Sequence, residues 1–271
     1  MATVTLGDGA TIWFERQGSG APLLQIHGSA FGHRNFEKLT PLMRDQFEVI
    51  DFDLPGYGDS HGGVAPKGFD DLADRVGELI EALGHDRVHV HGTSFGAMVA
   101  LSLAARHPER VDNLVLSCFL LRYDRAARMM RGTWKRAAAE MGMDAVADLT
   151  SVAGFARSFY DRPEAAAQLE SMREAFRRTT PEAFVAATET IEGTDLSPLG
   201  PTVRGPALLL AGAEDNMTPY SPAESGVGMA QLASQHPDWR SEVLDRCGHY
   251  LVIEQPEVAA GFIGDFLAQN T

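Results

Sequence analysis

Short, mostly apolar runs alternate with helical spacings of apolar residues along the first part of the chain. Such runs occur at residues 23–26, 48–52, 88–91 and 111–117, and their length and content are typical of strands buried on both faces. Between two of them, residues 69–83 place apolar side chains on one face of a helix. This alternation predicts a mostly parallel sheet that is covered by helices on both sides.

The pattern differs at the amino terminus, where two short segments flank a turn. Residues 3–6 and 11–16 are predicted to pair as a hairpin around Gly7-Asp8-Gly9. A helix is expected at residues 35–43, between two of the buried strands.

The alternation stops after residue 117. The next stretch shows helical segments and no convincing strand, so residues 118–197 are predicted to form a helical cap, or lid, inserted into the fold. The helices in this stretch are predicted at 125–140, 143–150, 154–160, 164–178 and 181–192.

Strands return near the carboxyl terminus. They are predicted at residues 207–211 and 241–244, and a helix over 255–270 ends the chain, with Pro256 in its first turn. We therefore predict an α/β fold whose core combines residues 1–117 with residues 198–271.

Composition narrows the classes of partner. The 271 residues carry a net charge of −14, which argues against nucleic acid and anionic membranes as partners, because both require a basic surface. Cys118 and Cys247 are far apart and are expected to be free thiols in a reducing compartment. No signal peptide or membrane-length apolar run is found, so the chain is expected to be soluble and cytoplasmic. Since it has no dinucleotide fingerprint and no P-loop, no cofactor is predicted.

The strongest motif lies at the end of the third buried run. That run passes into Gly92-Thr93-Ser94-Phe95-Gly96, and an Ala/Leu-rich helix follows at once. This strand–turn–helix context is the one that a nucleophile elbow requires. It predicts that Ser94 stands at the carboxyl edge of the sheet, where the N–H groups of the helix favour negative charge.

A serine hydroxyl needs a base within hydrogen-bond reach, and the base needs a group that orients it. Asp215 and His249 each follow one of the late strands, so they are expected at the same sheet edge as Ser94. The chain order Ser94, Asp215, His249 is the order of this elbow class. We predict that these three residues are catalytic, with His249 as base and Asp215 as the orienting acid.

Other titratable residues offer weaker alternatives. Glu214 could replace its neighbour Asp215 as the acid, whereas Asp245 is expected to be a surface carboxylate at a strand end. His85, His89 and His91 suggest a metal cluster at first sight. No carboxylate or thiolate is spaced with them, so we predict core histidines and no metal site.

Several motifs together resemble those of the α/β-hydrolase superfamily. They are His27-Gly28 after an early strand, the loop Asp-Leu-Pro-Gly-Tyr-Gly-Asp-Ser at 53–60, the elbow, the acid loop around Asp215, and Gly248-His249. The resemblance covers nearly the whole chain except the cap, and implies the α/β-hydrolase fold.

The resemblance also implies site residues. It implies an oxyanion hole formed by the backbone N–H groups of Phe95 and Ser29, with Ala30 as the alternative if the turn is offset by one residue. Asp124, at the start of the cap, matches an alternative position for the acid in this superfamily.

The class of reaction follows in part from the nucleophile. A serine rather than an aspartate at the elbow speaks against dehalogenases and epoxide hydrolases, and the chain looks most like capped esterases and enol-lactonases. We predict cleavage of a small ester, lactone or related carbonyl compound through an acyl-enzyme. Hydrolases of C–C bonds in meta-cleavage pathways are the alternative, although they commonly have Asn where this chain has Thr93. A ligand-binding receptor on the same scaffold is a further alternative.

The cap and two loops of the core offer candidates for binding the substrate. Ala30, Trp134 and Tyr250 are predicted to contact it. A stripe of basic residues in the cap either faces solvent or holds an anionic substrate. Its members are Arg122, Arg125, Arg128, Arg131, Lys135 and Arg136. Whether the chain forms a homodimer stays open.

Overall fold

The computed structural model describes residues 2–270. The strands in that range are β1 (Ala2–Thr5), β2 (Thr11–Gln17), β3 (Ala21–Ile26), β4 (Phe47–Phe52), β5 (Val88–Thr93), β6 (Val111–Ser117), β7 (Leu120–Arg122), β8 (Ala207–Gly212), β9 (Val227–Gly228) and β10 (Arg240–Leu244). The α-helices are α1 (Thr40–Met43), α2 (Phe69–Ala82), α3 (Phe95–Arg106), α4 (Arg125–Glu140), α5 (Met143–Gly154), α6 (Ala165–Arg177), α7 (Pro181–Glu192), α8 (Met229–Gln235), α9 (Leu251–Glu254) and α10 (Pro256–Gln269).

Eight strands form one sheet in the order β1-β2-β4-β3-β5-β6-β8-β10 within the described range. The predicted hairpin is confirmed, since β1 pairs antiparallel with β2, which in turn pairs antiparallel with β4. The other pairings in this eight-stranded sheet, which join β4, β3, β5, β6, β8 and β10 in that order, are all parallel. The carboxyl ends of β3, β5, β8 and β10 therefore meet at one edge, and β5 lies near the middle of it.

The two faces of the sheet bury two separate apolar clusters, because successive side chains of a strand point to opposite faces. Along β3, Leu24 joins the cluster that also holds residues of α2 and α3, whereas Leu23 joins the cluster covered by α1 and α10. The predicted α/β fold with helices on both faces is confirmed. No helix in residues 2–270 combines the length and apolarity that crossing a membrane requires.

The helical insert, defined here as residues 118–197, contains α4 to α7. Its apolar side chains, Trp134, Phe176 and Phe184 among them, join the same cluster as Val115 and Leu208 of the sheet. The insert is thus packed onto the sheet rather than tethered to it. The division into core and cap stays a prediction.

Local structure departs from the prediction in a few places. The insert does contain a strand, β7, which pairs with β9, and three residues are too few to give a sequence signal. The helix expected at 154–160 is wrong: Phe155 and Ala156 are extended, and a 3-10 turn follows at Arg157–Asp161. A 3-10 turn at Gly32–Phe36 and the short α1 stand where one helix was expected at 35–43.

Candidate active site

Ser94 occupies a sharp turn between β5 and α3. Its backbone has φ +54° and ψ −115°, a conformation that costs a non-glycine residue about 1–3 kcal/mol. The turn closes because Gly92 and Gly96 have no side chain. A Cβ on Gly92 would overlap the carbonyl of Gly96, and a Cβ on Gly96 would overlap the carbonyl of Ile26. The two glycines thus allow β3, β5 and α3 to approach closely enough to present the hydroxyl.

The structure brings Ser94, His249 and Asp215 together from three different elements. Ser94 Oγ lies 3.0 Å from His249 Nε2, and His249 Nδ1 lies 2.9 Å from Asp215 Oδ2. All three side chains are buried, so water does not weaken these contacts. The geometry forms an unbroken hydrogen-bonded chain from hydroxyl to imidazole to carboxylate.

The surroundings of Asp215 fix the direction of that chain. Burial alone would raise the pKa of the Asp215 carboxyl. The adjacent His249 and the hydrogen bonds that the carboxyl accepts outweigh burial and lower the pKa. The backbone N–H groups of Met217 and Thr218 donate to Oδ1, and the hydroxyl of Thr218 donates to Oδ2. An ionised carboxylate only accepts, so Nδ1 of His249 donates to it. Nε2 is left to accept the proton of Ser94.

The loop that carries His249 is held by a backbone hydrogen bond and by Glu254, a residue that the sequence analysis did not single out. The backbone N–H of His249 donates to the carbonyl of Gly154 at 2.6 Å. Glu254 accepts from Gly248 N–H at 2.9 Å and from Ala156 N–H at 3.0 Å. No motif in the sequence marks Glu254, because its partners come from a loop and from a distant segment. The hydrogen bond to Gly154 and the bridge through Glu254 to Ala156 fasten the histidine loop to the helical insert.

Two backbone N–H groups beside Ser94 have no acceptor among residues 2–270. One belongs to Phe95, the first residue of α3, and the other to Ser29. Gly28 brings the early turn next to Ser94, since a Cβ on Gly28 would lie 3.5 Å from Ser94 Cβ. The side chain of Asn35 fixes this turn by accepting from Gly28 N–H at 2.8 Å. These N–H groups are available to a developing oxyanion.

His27 braces the same turn. Its Nε2 accepts from Leu54 N–H at 2.9 Å, so its Nδ1 donates to Gly28 O at 2.8 Å. Burial lowers the pKa of His27, which keeps the ring neutral.

A narrow cavity lies over Ser94. Trp134 and Tyr250 line it, as does Ser29, whereas Ala30 is buried outside its wall with φ +75°. The space open to the centres of water molecules is about 30 Å³, enough for a few waters. The other lining residues are Gly28, Phe31, Asn35, Thr93, Arg131, Thr150, Phe176, Phe184, Met217, His249 and Val252.

The alternative acids are engaged elsewhere. Asp124 caps α4 by accepting from Ala127 N–H, and Glu214 accepts from Arg157 N–H at 2.9 Å. Asp245 is exposed.

The three histidines noted in the sequence do not converge. His85 pairs with Glu48 at 3.3 Å, His89 contacts Asn113, and His91 contacts Ser117. Burial lowers the pKa of His91 to about 3, so its ring stays neutral.

Both cysteines are free thiols and buried. The sulfur of Cys118, one carboxylate oxygen of Asp215 and one ring nitrogen of His249 all lie within 4.8 Å of one another. Burial raises the pKa of Cys118 well above its ordinary value, so it is a neutral neighbour.

Fold and site together define a hydrolase of the nucleophile-elbow type. Residues 21–256 match the alpha/beta hydrolase fold family, and the chain belongs to that family.

Relatives of the chain include an esterase and a hydrolase of 2-hydroxy-6-oxo compounds. The chain is 33% identical over 266 residues to the pimeloyl-[acyl-carrier protein] methyl ester esterase of Aromatoleum aromaticum, covering 90% of this chain and 96% of that one. It is 28% identical to the 2-hydroxy-6-oxononadienedioate/2-hydroxy-6-oxononatrienedioate hydrolase 1 of Dechloromonas aromatica, covering 92% and 88%. A thermophilic esterase from Thermogutta terrifontis has a similar structure, with a TM-score of 0.86, 25% identity and full coverage of both chains.

Proposed function

We propose that this protein is a serine hydrolase that cleaves a small carboxylic ester or lactone through an acyl-enzyme. The observation that carries the proposal is the hydrogen-bonded chain Ser94–His249–Asp215 at the floor of the cavity. The esterase among the relatives, which by its name acts on a methyl ester, supports the same class of substrate. The core of residues 1–117 and 198–271 would carry these groups, and the insert would cover them.

In the first half of the reaction, Ser94 Oγ bonds to the carbonyl carbon while its proton passes to His249 Nε2. The carbonyl oxygen becomes an oxyanion, which accepts from the N–H groups of Phe95 and Ser29. The bond from carbon to the alcohol oxygen then breaks. His249 gives its proton to that oxygen, and the alcohol leaves.

In the second half, water adds to the acyl carbon and gives a proton to His249 Nε2. The bond from the carbon to Ser94 Oγ breaks, Oγ recovers the proton, and the acid leaves. Asp215 stays ionised throughout and stabilises the imidazolium.

Replacement of the nucleophile tests this proposal. Ser94→Ala is expected to lower kcat for p-nitrophenyl acetate and butyrate by about 10³-fold or more, because no acyl-enzyme can form. Ser102→Ala is the matched control, since it removes a buried hydroxyl that has no hydrogen-bond partner within residues 2–270 from α3, the helix that begins directly after Ser94. Equal rates for wild type and Ser94→Ala would contradict the proposal, and tight ligand binding without turnover would favour a receptor.

Cleavage of a C–C bond in a vinylogous diketone is the second candidate. It is favoured by the 28% identity to a hydrolase named for a 2-hydroxy-6-oxo dienoate. Loss of the absorbance of such a yellow substrate, without an esterase burst, would select it over ester cleavage.

A further inference from the structure

The wall of the candidate active site contains an unpaired cation. Arg131, in the middle of α4, is 3% exposed and lines the cavity together with Ser94 and His249. The other lining residues in the described chain carry no permanent charge. Of the six basic residues in the cap stripe, Arg131 is the buried one.

The guanidinium of Arg131 is only partly satisfied by the protein. Nη2 donates to Tyr123 Oη at 2.8 Å, and the group lies 4.6 Å from the ring centroid of Tyr123 and 5.6 Å from that of Trp134. Nε is buried and has no hydrogen-bond partner within residues 2–270. Burial raises the pKa of Tyr123, so it is a neutral phenol and does not balance the charge.

A second buried arginine, Arg75, has carboxylate partners, which Arg131 lacks within residues 2–270. Arg75 forms ion pairs with Asp8 at 3.1 Å and with Asp71 at 3.4 Å. No carboxylate of the described residues lies within 4.0 Å of Arg131, although neighbouring Lys135 pairs with Glu192 at 2.7 Å. A buried charge without a counter-ion is costly, and its persistence points to an anion that arrives from outside.

We propose that Arg131 binds a carboxylate of the substrate, so that the preferred substrate is a short ester or lactone that carries a second, free carboxylate group. The planar guanidinium matches the two oxygens of a carboxylate, and the free Nε lies on such an edge. The cavity that Arg131 and Ser94 both line also has aromatic and aliphatic side chains in its wall, and these suit a short hydrocarbon spacer. The inference rests on the proposed function, because the same cavity serves both.

The test compares charged substrates with neutral isosteres. Monomethyl succinate and adipate place the carboxylate on the acyl side, with methyl 4-oxopentanoate and methyl 6-oxoheptanoate as neutral counterparts. Acetoxyacetate places it on the alcohol side, with acetoxyacetone as counterpart. We expect wild type to show a higher kcat/KM for the charged member of at least one series at pH 7.5. No preference in any series would overturn the proposal.

Variants then assign the preference to Arg131. Arg131→Gln is expected to lower kcat/KM for the preferred charged ester by about 10- to 100-fold and for its neutral counterpart by less than about 3-fold. Arg131→Lys should retain part of the preference. Arg128→Gln, which removes an exposed charge from the same helix, should leave it unchanged. Equal losses on charged and neutral esters would show a structural role and overturn the proposal.

A binding measurement separates this inference from the proposed function. Calorimetric titration of Ser94→Ala with the preferred charged ester is expected to show binding that Ser94→Ala/Arg131→Gln has lost. If this Arg131-dependent binding is found but wild type does not turn the ester over, the hydrolase proposal is refuted and the proposal that Arg131 binds a carboxylate stands. Turnover with equal binding to both variants would defeat the anion site alone. Should Arg131→Gln not fold, inhibition of wild type is the deciding measurement: adipate should inhibit competitively, and its neutral counterpart octane-2,7-dione should not.

Discussion

Glu254 is a single residue on which two parts of the site depend. Its carboxyl is buried, and it accepts backbone N–H groups from the histidine loop and from the insert. Burial raises its pKa to about 7, because these two hydrogen bonds and Arg162 offset only part of the desolvation. The folded protein therefore binds this proton more tightly than the unfolded chain, in which the pKa is near 4.5.

The raised pKa of Glu254 has a consequence for stability against pH. Because the folded-state pKa lies above the unfolded one, the contribution is fully present below pH 4.5 and is lost as pH rises to 7. We expect the free energy of unfolding of wild type to fall across this window by about 3 kcal/mol more than that of Glu254→Gln. Urea denaturation at pH 4.5, 6, 7 and 8 measures the difference.

The exposed Glu257, three residues further on, gives the control. Glu257→Gln should follow the wild-type curve, and parallel curves for wild type and Glu254→Gln would refute the expected linkage. Burial also raises the pKa of Asp51, to about 6. Asp51 therefore makes the free energy of unfolding fall with pH in wild type and in both variants alike, and this effect cancels when they are compared.

At the scale of residues, the sequence indicated candidate site residues where their neighbours in the chain form a recognisable motif or strand. Ser94 lies in a pentad, and Asp215 and His249 follow predicted strands. Glu254 and Arg131 have no such marker in the sequence. Glu254 is distinguished by a hydrogen bond from the distant Ala156 N–H, and Arg131 by an Nε that has no hydrogen-bond partner within residues 2–270. Sequence analysis included Arg131 in a basic stripe but could not separate it from its solvent-exposed neighbours.

The elbow is the element whose geometry most constrains the site. Gly96→Ala is expected to destabilise the fold by about 1–3 kcal/mol and to lower kcat by more than 10-fold, because its Cβ overlaps the carbonyls of Ile26 and His27 and shifts Ser94. Thermal unfolding and ester hydrolysis measure the two effects. Gly261→Ala, in the exposed face of α10 with open space at its Cβ, should be neutral or stabilising by up to about 1 kcal/mol. Similar behaviour of the two variants would speak against steric closure of the elbow.

Elements were predicted well where periodicity extends over several turns or a whole buried strand. β6, α4 and α7 have the predicted bounds. The sequence missed β7 and α9, each only three or four residues long, since tertiary pairing rather than local pattern forms them. The 3-10 turn at Gly32–Phe36 stands at the start of the helix expected at 35–43, and the side chain of Asn35 in this turn accepts from Gly28 N–H.

At the scale of the whole molecule, side chains of the insert take part in both apolar clusters of the sheet. Trp134 and Phe184 of the insert lie in one cluster with Val49 and Leu208 of the sheet, and Ile191 of the insert lies in the other. We therefore expect the insert and the sheet to unfold together in one cooperative transition. In Trp13→Phe/Trp239→Phe, the fluorescence of Trp134 reports on the insert and far-ultraviolet circular dichroism on the whole chain. The two urea transitions should coincide, whereas an earlier transition in fluorescence would show that the insert unfolds on its own.

The hydrogen bond from His249 N–H to the carbonyl of Gly154 joins the histidine to the far end of α5. Any displacement of that end of the helix would remove an anchor of the imidazole. Under the proposed function, the alignment of His249 with Ser94 would thus depend on how the insert is seated as well as on the sheet.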